Sequence, residues 1–465
     1  MPGIEQLLSF QPDADSRLFG GRVRRSPYLQ ITILACLFLL NLLLISRNTN
    51  ELIEFPYVMI LIVPYFLLAL KYPELGLAIF IIFHLTPLKG LTPAHTSFLS
   101  LSILIELCLG AALILHFLLS RKLPSYRDKL SLLLLLYIGF YVVAAIWRSS
   151  APTQREGGWF KPLVVLMLTY IFMVGFINSW EKLIWVLRAF VLLSLFWFLA
   201  SLIDILTYGF ETIYLRVRTE IGFLQKWTQV DVLATTVLMF LPFLYFLMHQ
   251  KQSKAWQSMS KLGFYLSPFT VFLTASRNGF VALVVVLALI FFQKKGSPKL
   301  WAFLLIMVMF ILIAPSGYWQ RISTIPQLDV ESGLSLKISH LQRGLEIVRE
   351  NPLFGIGLGK LKRAIHNTVL QVAVEVGLPA MLIFLGMIYL AIKELKRAER
   401  SISQNVHLAM FSRLPWMVIV SLVAYLIGGL TVSNNLMLPF FIILGLITAL
   451  RNLTLEESRE AKIIG

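Results

Sequence analysis

The chain has 465 residues, of which 58% are apolar types and only 14% are charged, with a mean hydropathy of +0.79. A soluble domain carries about 25% charged residues and cannot hide so much apolar surface, so this composition excludes a cytosolic enzyme, a disordered chain and a secreted disulfide scaffold. The net charge of +17, from 41 Lys and Arg against 24 Asp and Glu, has its ordinary source in the positive-inside bias of membrane proteins and does not require nucleic acid.

The pattern predicts an all-α polytopic membrane protein with about 12–14 transmembrane helices. Residues 1–28 are polar, include Arg17, Arg22, Arg24 and Arg25, and read as a cytoplasmic tail. Apolar runs follow at 29–46, 53–70, 75–87, 98–118, 130–147, 162–177, 184–206, 229–248, 263–275, 279–292, 300–314, 374–392, 414–430 and 436–450. No small-residue cleavage site follows the first run, so it reads as a retained span. The runs at 75–87, 263–275 and 279–292 fall short of the ~20 residues that cross a bilayer, and read as tilted, broken or re-entrant. Cys36 and Cys108 both lie inside apolar runs and read as small core residues, with no disulfide or metal site implied.

Alternating the spans from a cytoplasmic N-terminus places Arg121-Lys122, Lys251, Lys254, Lys261, Lys294-Lys295 and the Lys393–Arg400 cluster inside. The asymmetry predicts both termini in the cytoplasm. The chain then divides into transmembrane helices over 29–314 with an outer loop at 207–228, a large outer loop at 315–373, C-terminal transmembrane helices over 374–450 and a cytoplasmic tail at 451–465. The cations in the two outer loops are not needed for topology, which makes them informative. The larger loop shows helical periodicity at 338–350. It then turns through Asn351-Pro352-Leu353-Phe354-Gly355-Ile356-Gly357-Leu358-Gly359 and runs through His366-Asn367 into the next span.

Arg277 lies between two short apolar runs, in Leu273-Thr274-Ala275-Ser276-Arg277-Asn278-Gly279. An arginine there is either an interfacial anchor or an anion ligand, since guanidinium forks onto phosphate or carboxylate. Arg216 and Arg218 share one face if their segment is extended; they are either a solvated loop pair or part of a cluster that holds a diphosphate. An imidazole in general titrates near neutrality, so His366 is a candidate acid/base, or else a plain helix-start residue. His340, also outside, stays open as a second candidate. The Gly355–Gly359 run lacks the Lys-Ser/Thr of a phosphate loop and reads as a turn where backbone approaches a partner. Glu375 opens the 374–392 span as an acid at the start of a helix or as a partner for an outer arginine. Nine residues from His366 is too far for direct contact on one helix. No His, Cys or carboxylate set has metal spacing.

Together these outer segments resemble the O-antigen ligase and polymerase superfamily of bacterial membrane glycosyltransferases. The matching pieces are Thr274 to Gly279, then Arg343, then Asn351-Pro352 to Gly359, then His366-Asn367, then Glu375-Val376-Gly377, in order over about residues 270–390. The chain departs from the family pattern at Asn278, where the family has Gly, and after Gly222-Phe223. The resemblance implies a GT-C-like helical membrane fold in the plasma (inner) membrane. It also implies transfer, on the outer face, of a glycan from a polyprenyl-diphosphate carrier to a hydroxyl of a saccharide or lipid-linked saccharide acceptor. In that reading Arg216, Arg218, Arg277 and Arg343 bind the diphosphate, His366 activates the acceptor, Asn367 and Glu375 support it, and neither metal nor cofactor takes part. Ligase and polymerase share these motifs. A lipid-glycan or small-anion transporter, with Glu106 and Asp204 as its intramembrane acids, is the reading from another class.

Overall fold

A computed structural model describes residues 62–86, 101–120, 126, 128–147, 160–208, 230–274, 276–292, 333–361, 365–430, 432–433 and 436–464. The expected tail at 1–28, the runs at 29–46 and 300–314, and Arg216 and Arg218 lie outside the described residues. The helices are α1 (Ile62–Lys71), α2 (Pro73–Leu85), α3 (Leu101–Ser120), α4 (Lys129–Trp147), α5 (Phe160–Phe176), α6 (Trp180–Tyr208), α7 (Val230–Met248), α8 (Lys254–Leu273) and α9 (Arg277–Phe292). Then come α10 (Gly333–Glu350), α11 (Thr368–Val376), α12 (Leu378–Gln404), a 3₁₀ turn at Val406–Phe411, α13 (Leu414–Gly429) and α14 (Leu438–Ile464). All belong to one compact unit, Phe55–Gly465. Among the described residues, six helical segments are long and apolar enough to cross a membrane, and five shorter apolar helices accompany them.

Helix α7 is buried at every position from Leu233 to Leu247. A helix apolar on all sides belongs at the centre of a bundle, and α7 packs against α6, α8, α9 and α13. Phe240 stacks on Phe190 of α6, ring centroids 4.3 Å apart and 5° from parallel. Helix α14 is a second central element, buried from Pro439 to Leu450. It packs on α5, where Tyr170 Oη and Thr448 Oγ1 lie 2.9 Å apart. The outer helices expose Leu118, Ile146, Leu206, Leu382 and Tyr389. Scattered large apolar side chains on the rim of a bundle suit a hydrocarbon solvent. One buried polar pair fastens α2 to α3: His84 Nε2 lies 3.1 Å from Glu106 Oε1, and His84 Nδ1 lies 3.0 Å from the Phe80 carbonyl.

Three expectations change. The 263–275 run belongs to a 20-residue helix, α8, that starts at Lys254, so Lys254 and Lys261 sit on helix rather than loop. The 374–392 run is divided: α11 stops at Val376, Gly377 takes φ 103°, and α12 restarts with a proline in its first turn. A proline at that position suits a helix start, and the positive φ suits only glycine. His366 therefore does not start the helix that becomes the span, and Glu375 closes a short helix instead of opening a long one. The expected tail at 451–465 continues α14 as far as Ile464. The periodicity at 338–350 proves to be the larger part of α10.

Helix α13 runs antiparallel to both α7 and α9. Ser421 Oγ donates to the Met239 carbonyl of α7 at 2.7 Å. Trp416 Nε1 donates to the Leu289 carbonyl of α9 at 3.2 Å. At its end, Gly428 lies against Thr235 of α7, and Gly429 lies against Thr368 of α11. A Cβ at either residue would overlap a threonine side chain, so these two contacts require glycine. Gly428→Ala is expected to lower stability by about 1–3 kcal/mol, the range for overpacking, with a clear drop in the thermal midpoint of the detergent-solubilised chain.

Candidate active site

The segment Thr274–Gly279 forms the turn that opens α9. Thr274 Oγ1 donates to the Val271 carbonyl at 2.6 Å and accepts from the Ser276 N–H at 3.3 Å. Ser276 Oγ accepts from the Gly279 N–H at 2.9 Å, as an N-cap does, and donates to Asp231 Oδ1 at 2.5 Å. Asp231 stands in the first turn of α7. Thr and Ser in this motif are thus structural, bending the chain so that Arg277 becomes the first residue of a helix. The backbone of Arg277 opens α9; its side chain lies outside the described residues. Asn278 Nδ2 donates to the Gly428 carbonyl at 3.2 Å. Gly279 faces Ala234, and an added Cβ would come within 2.7 Å of the alanine methyl. The tight position on this turn is therefore 279, and 278 has room for the asparagine that departs from the family pattern.

His366 lies at the other side of Gly428-Gly429, at the start of α11. Its φ of 59° is the single left-handed non-glycine conformation among the described residues. Such a backbone costs of order 1–3 kcal/mol and persists only where its surroundings over-determine it. Five hydrogen bonds do so. The His366 N–H donates to Ser433 Oγ at 3.2 Å. Ser433 Oγ donates to Gln371 Oε1 at 3.1 Å, which also accepts the Ile365 N–H at 2.9 Å. Asn367 caps α11, accepting from the Leu370 N–H at 2.9 Å. Thr368 Oγ1 donates to the Val432 carbonyl at 2.9 Å. Gln371 also reaches the far end of the helix, its Nε2 donating to Glu375 Oε1 at 2.5 Å. One serine and one glutamine thus connect the His366 backbone to Glu375.

The Asn351–Gly359 run holds the opposite end of α11. The N–H groups of Ile356 and Gly357 donate to the carbonyls of Val374 and Glu375 at 2.8 and 3.1 Å, and the Leu378 N–H donates to the Pro352 carbonyl at 2.8 Å. These are the carbonyls that a helix C-terminus leaves unmade. Gly355, at φ 60°, lies with its Cα against the Val374–Val376 backbone. The partner that the glycines approach is therefore α11 itself. Asn351 ends α10, so one loop joins α10, α11 and α12.

Arg343 is exposed on α10. Gly344 beside it packs on Ile365 and Leu370, which seats α10 on α11. His340, one turn earlier, stacks its ring on His366, centroids 5.6 Å apart and 19° from parallel. The structure thus brings together the Ser276–Gly279 turn, His366 and Asn367, with α10 alongside and Glu375 at the far end of α11. Sequence reasoning did not single out Asp231, Gln371 or Ser433. Asp231 carries a readable signal, an acid at the mouth of an apolar run. Gln371 and Ser433 carry none, because their role depends on a contact across 62 residues of chain. Among the described residues no group of three His, Cys, Asp or Glu gathers as metal ligands.

Ser433→Ala removes the acceptor of the His366 N–H and a donor to Gln371. Thermal unfolding should show a loss of about 1–3 kcal/mol, the cost of a buried group left unpaired, whereas Ser433→Thr should stay near wild type.

Residues 262–385 match the family model described as O-antigen ligase. The match opens in α8, closes in α12, and takes in the α9 turn, Arg343, the Asn351–Gly359 run, His366 and Glu375. It agrees with the superfamily that the motifs resemble. No curated protein matches the chain.

Proposed function

We propose that the chain is a membrane glycosyltransferase of the O-antigen ligase kind, acting on the outer face of the plasma membrane with both termini in the cytoplasm. Its donor is a glycan on a polyprenyl diphosphate, and its acceptor is a hydroxyl of a saccharide or lipid-linked saccharide. The observation that carries the reading is the meeting of two motif segments, Ser276–Gly279 and His366–Thr368, on the adjacent glycines 428 and 429 of α13, inside and beside the matched region.

In the proposed step the acceptor oxygen attacks the anomeric carbon of the donor sugar and the bond to the diphosphate breaks. The hydroxyl proton passes to the His366 imidazole, and the diphosphate leaves with both bonding electrons. Arg277, Arg343 and the upstream pair Arg216 and Arg218 receive the charge that develops on it. Fixed donors act strongly on developing charge beside a low-dielectric phase. The N-termini of α7, α9 and α11 all lie at this end of the bundle, and their dipoles favour an anion there. No metal is assigned a part. Asn367 and Glu375 act through α11, as its cap and as the end of the Gln371 link.

Arg277→Ala and His366→Ala are each expected to abolish transfer while leaving folded protein in the membrane. Arg277→Lys should impair it too, because an ammonium lacks the planar fork. Wild-type transfer by either alanine variant, at equal expression, removes that residue from the mechanism.

Cells lacking the gene should accumulate long glycan still attached to its lipid, as measured by the chain length of extracted lipid-linked material. Accumulation of single repeats would instead identify the polymerase of the same superfamily. If neither builds up, the transferase reading fails and transport takes its place.

A further inference from the structure

The strained conformation of His366 raises the question of what fixes its ring. The contacts made by its backbone and by Asn367 and Thr368 hold the main chain. A general base, however, must present one nitrogen to the acceptor hydroxyl within hydrogen-bond reach. One ring contact comes from α10: His340 lies face to face with His366, 19° from parallel, at a centroid separation of 5.6 Å. That spacing is within the range of offset-stacked aromatic pairs.

The nitrogen of His340 points to the same use. Among the described residues, His340 Nδ1 is buried and has no hydrogen-bond partner. Buried polar side-chain atoms are nearly always paired, so a histidine retained for hydrogen bonding would have this nitrogen engaged. Here the nitrogen goes unmade and the face of the ring makes the contact. The position of α10 makes the stack firm. Gly344, one turn on, lets the helix approach Ile365 and Leu370, where an added Cβ would come within 2.8 Å of the leucine. The charged groups on the elements packed here are Arg343, Glu346, Arg349 and Glu350, all exposed on α10, Lys337 on the same helix, and Glu375, bonded to Gln371 at the far end of α11.

We propose that His340 is a positioning residue for His366: an aromatic plate that holds the catalytic imidazole at the angle the acceptor needs, without itself touching substrate or exchanging a proton. This rests on the reading of His366 as the base.

The test compares His340→Ala, His340→Phe and His366→Ala in the full-length chain, purified in detergent. The donor is lipid-linked glycan extracted from cells lacking the gene. A misplaced catalytic group costs up to about 100-fold in rate. His340→Ala should therefore lower kcat by roughly 10- to 100-fold with the donor KM unchanged. His340→Phe, which keeps a plate and has no nitrogen, should recover kcat to within about threefold and keep the acidic limb of the pH–rate profile where it is in wild type. Each variant is first checked for monodispersity, and Leu345→Ala, on the exposed side of α10, controls for damage to that helix. Wild-type kcat in His340→Ala overturns the proposal. So does a Phe variant as poor as Ala, or one whose acidic limb moves, since either result means that the nitrogens of His340 matter. If instead His366→Ala transfers normally, the base assignment has failed, and that outcome is separable from the others.

Discussion

The arrangement depends on how closely α13 approaches its neighbours at one end. Two adjacent glycines, Gly428 and Gly429, touch different helices: one meets Thr235 on α7 and the other meets Thr368 on α11. The Gly428 carbonyl also takes the Asn278 amide from α9. Within a membrane there is no hydrophobic drive to press helices together, so close packing and hydrogen bonds must do it, and small residues at the contact make both possible. Without this approach the α9 turn and the α11 cap would stand apart, and the residues they carry would share no site.

Around that junction the polar groups work in pairs that leave the helix ends satisfied. Ser276 caps α9 and is itself held by Asp231. Asn367 caps α11 at one end, while the Ile356 and Gly357 amides close it at the other. A nine-residue helix is too short to be stable by itself. Bonded at both ends and clamped through Gln371, α11 becomes a rigid mount for the left-handed His366. In the proposed mechanism this rigidity matters, because preorganised groups lose nothing to rearrangement.

The other end of the bundle is built differently. Arg451 lies 3.6 Å from Glu394 and 3.9 Å from Asp128. Gln250 Nε2 donates to the Met410 carbonyl at 2.7 Å, and Trp180 stacks on Phe411 at 4.3 Å. These contacts tie α12 to α14 by ion pairs, and the turn before α13 to α6 and to the end of α7. The site end instead gathers three helix N-termini and a histidine in a strained backbone.

The sequence by itself determined the class of the protein. Twenty-residue apolar runs admit only membrane helices, because a bilayer leaves backbone groups no other way to be satisfied. It also determined the motif residues, since Ser-Arg, Asn-Pro with three glycines, and His-Asn are local patterns. It misjudged the 374–392 run, because hydropathy sees no difference between one span and two helices separated by a glycine at φ 103°. It read the glycine run correctly as a close approach but could not name the partner, which is α11. The tertiary structure alone decided that Ser276 answers to Asp231, that Gln371 links His366 to Glu375 through Ser433, and that His340 faces His366. Each of those contacts joins residues on different turns or different helices. Their spacing along the chain therefore carries no period that a sequence could show, and it becomes a distance only once α13 has drawn its neighbours together.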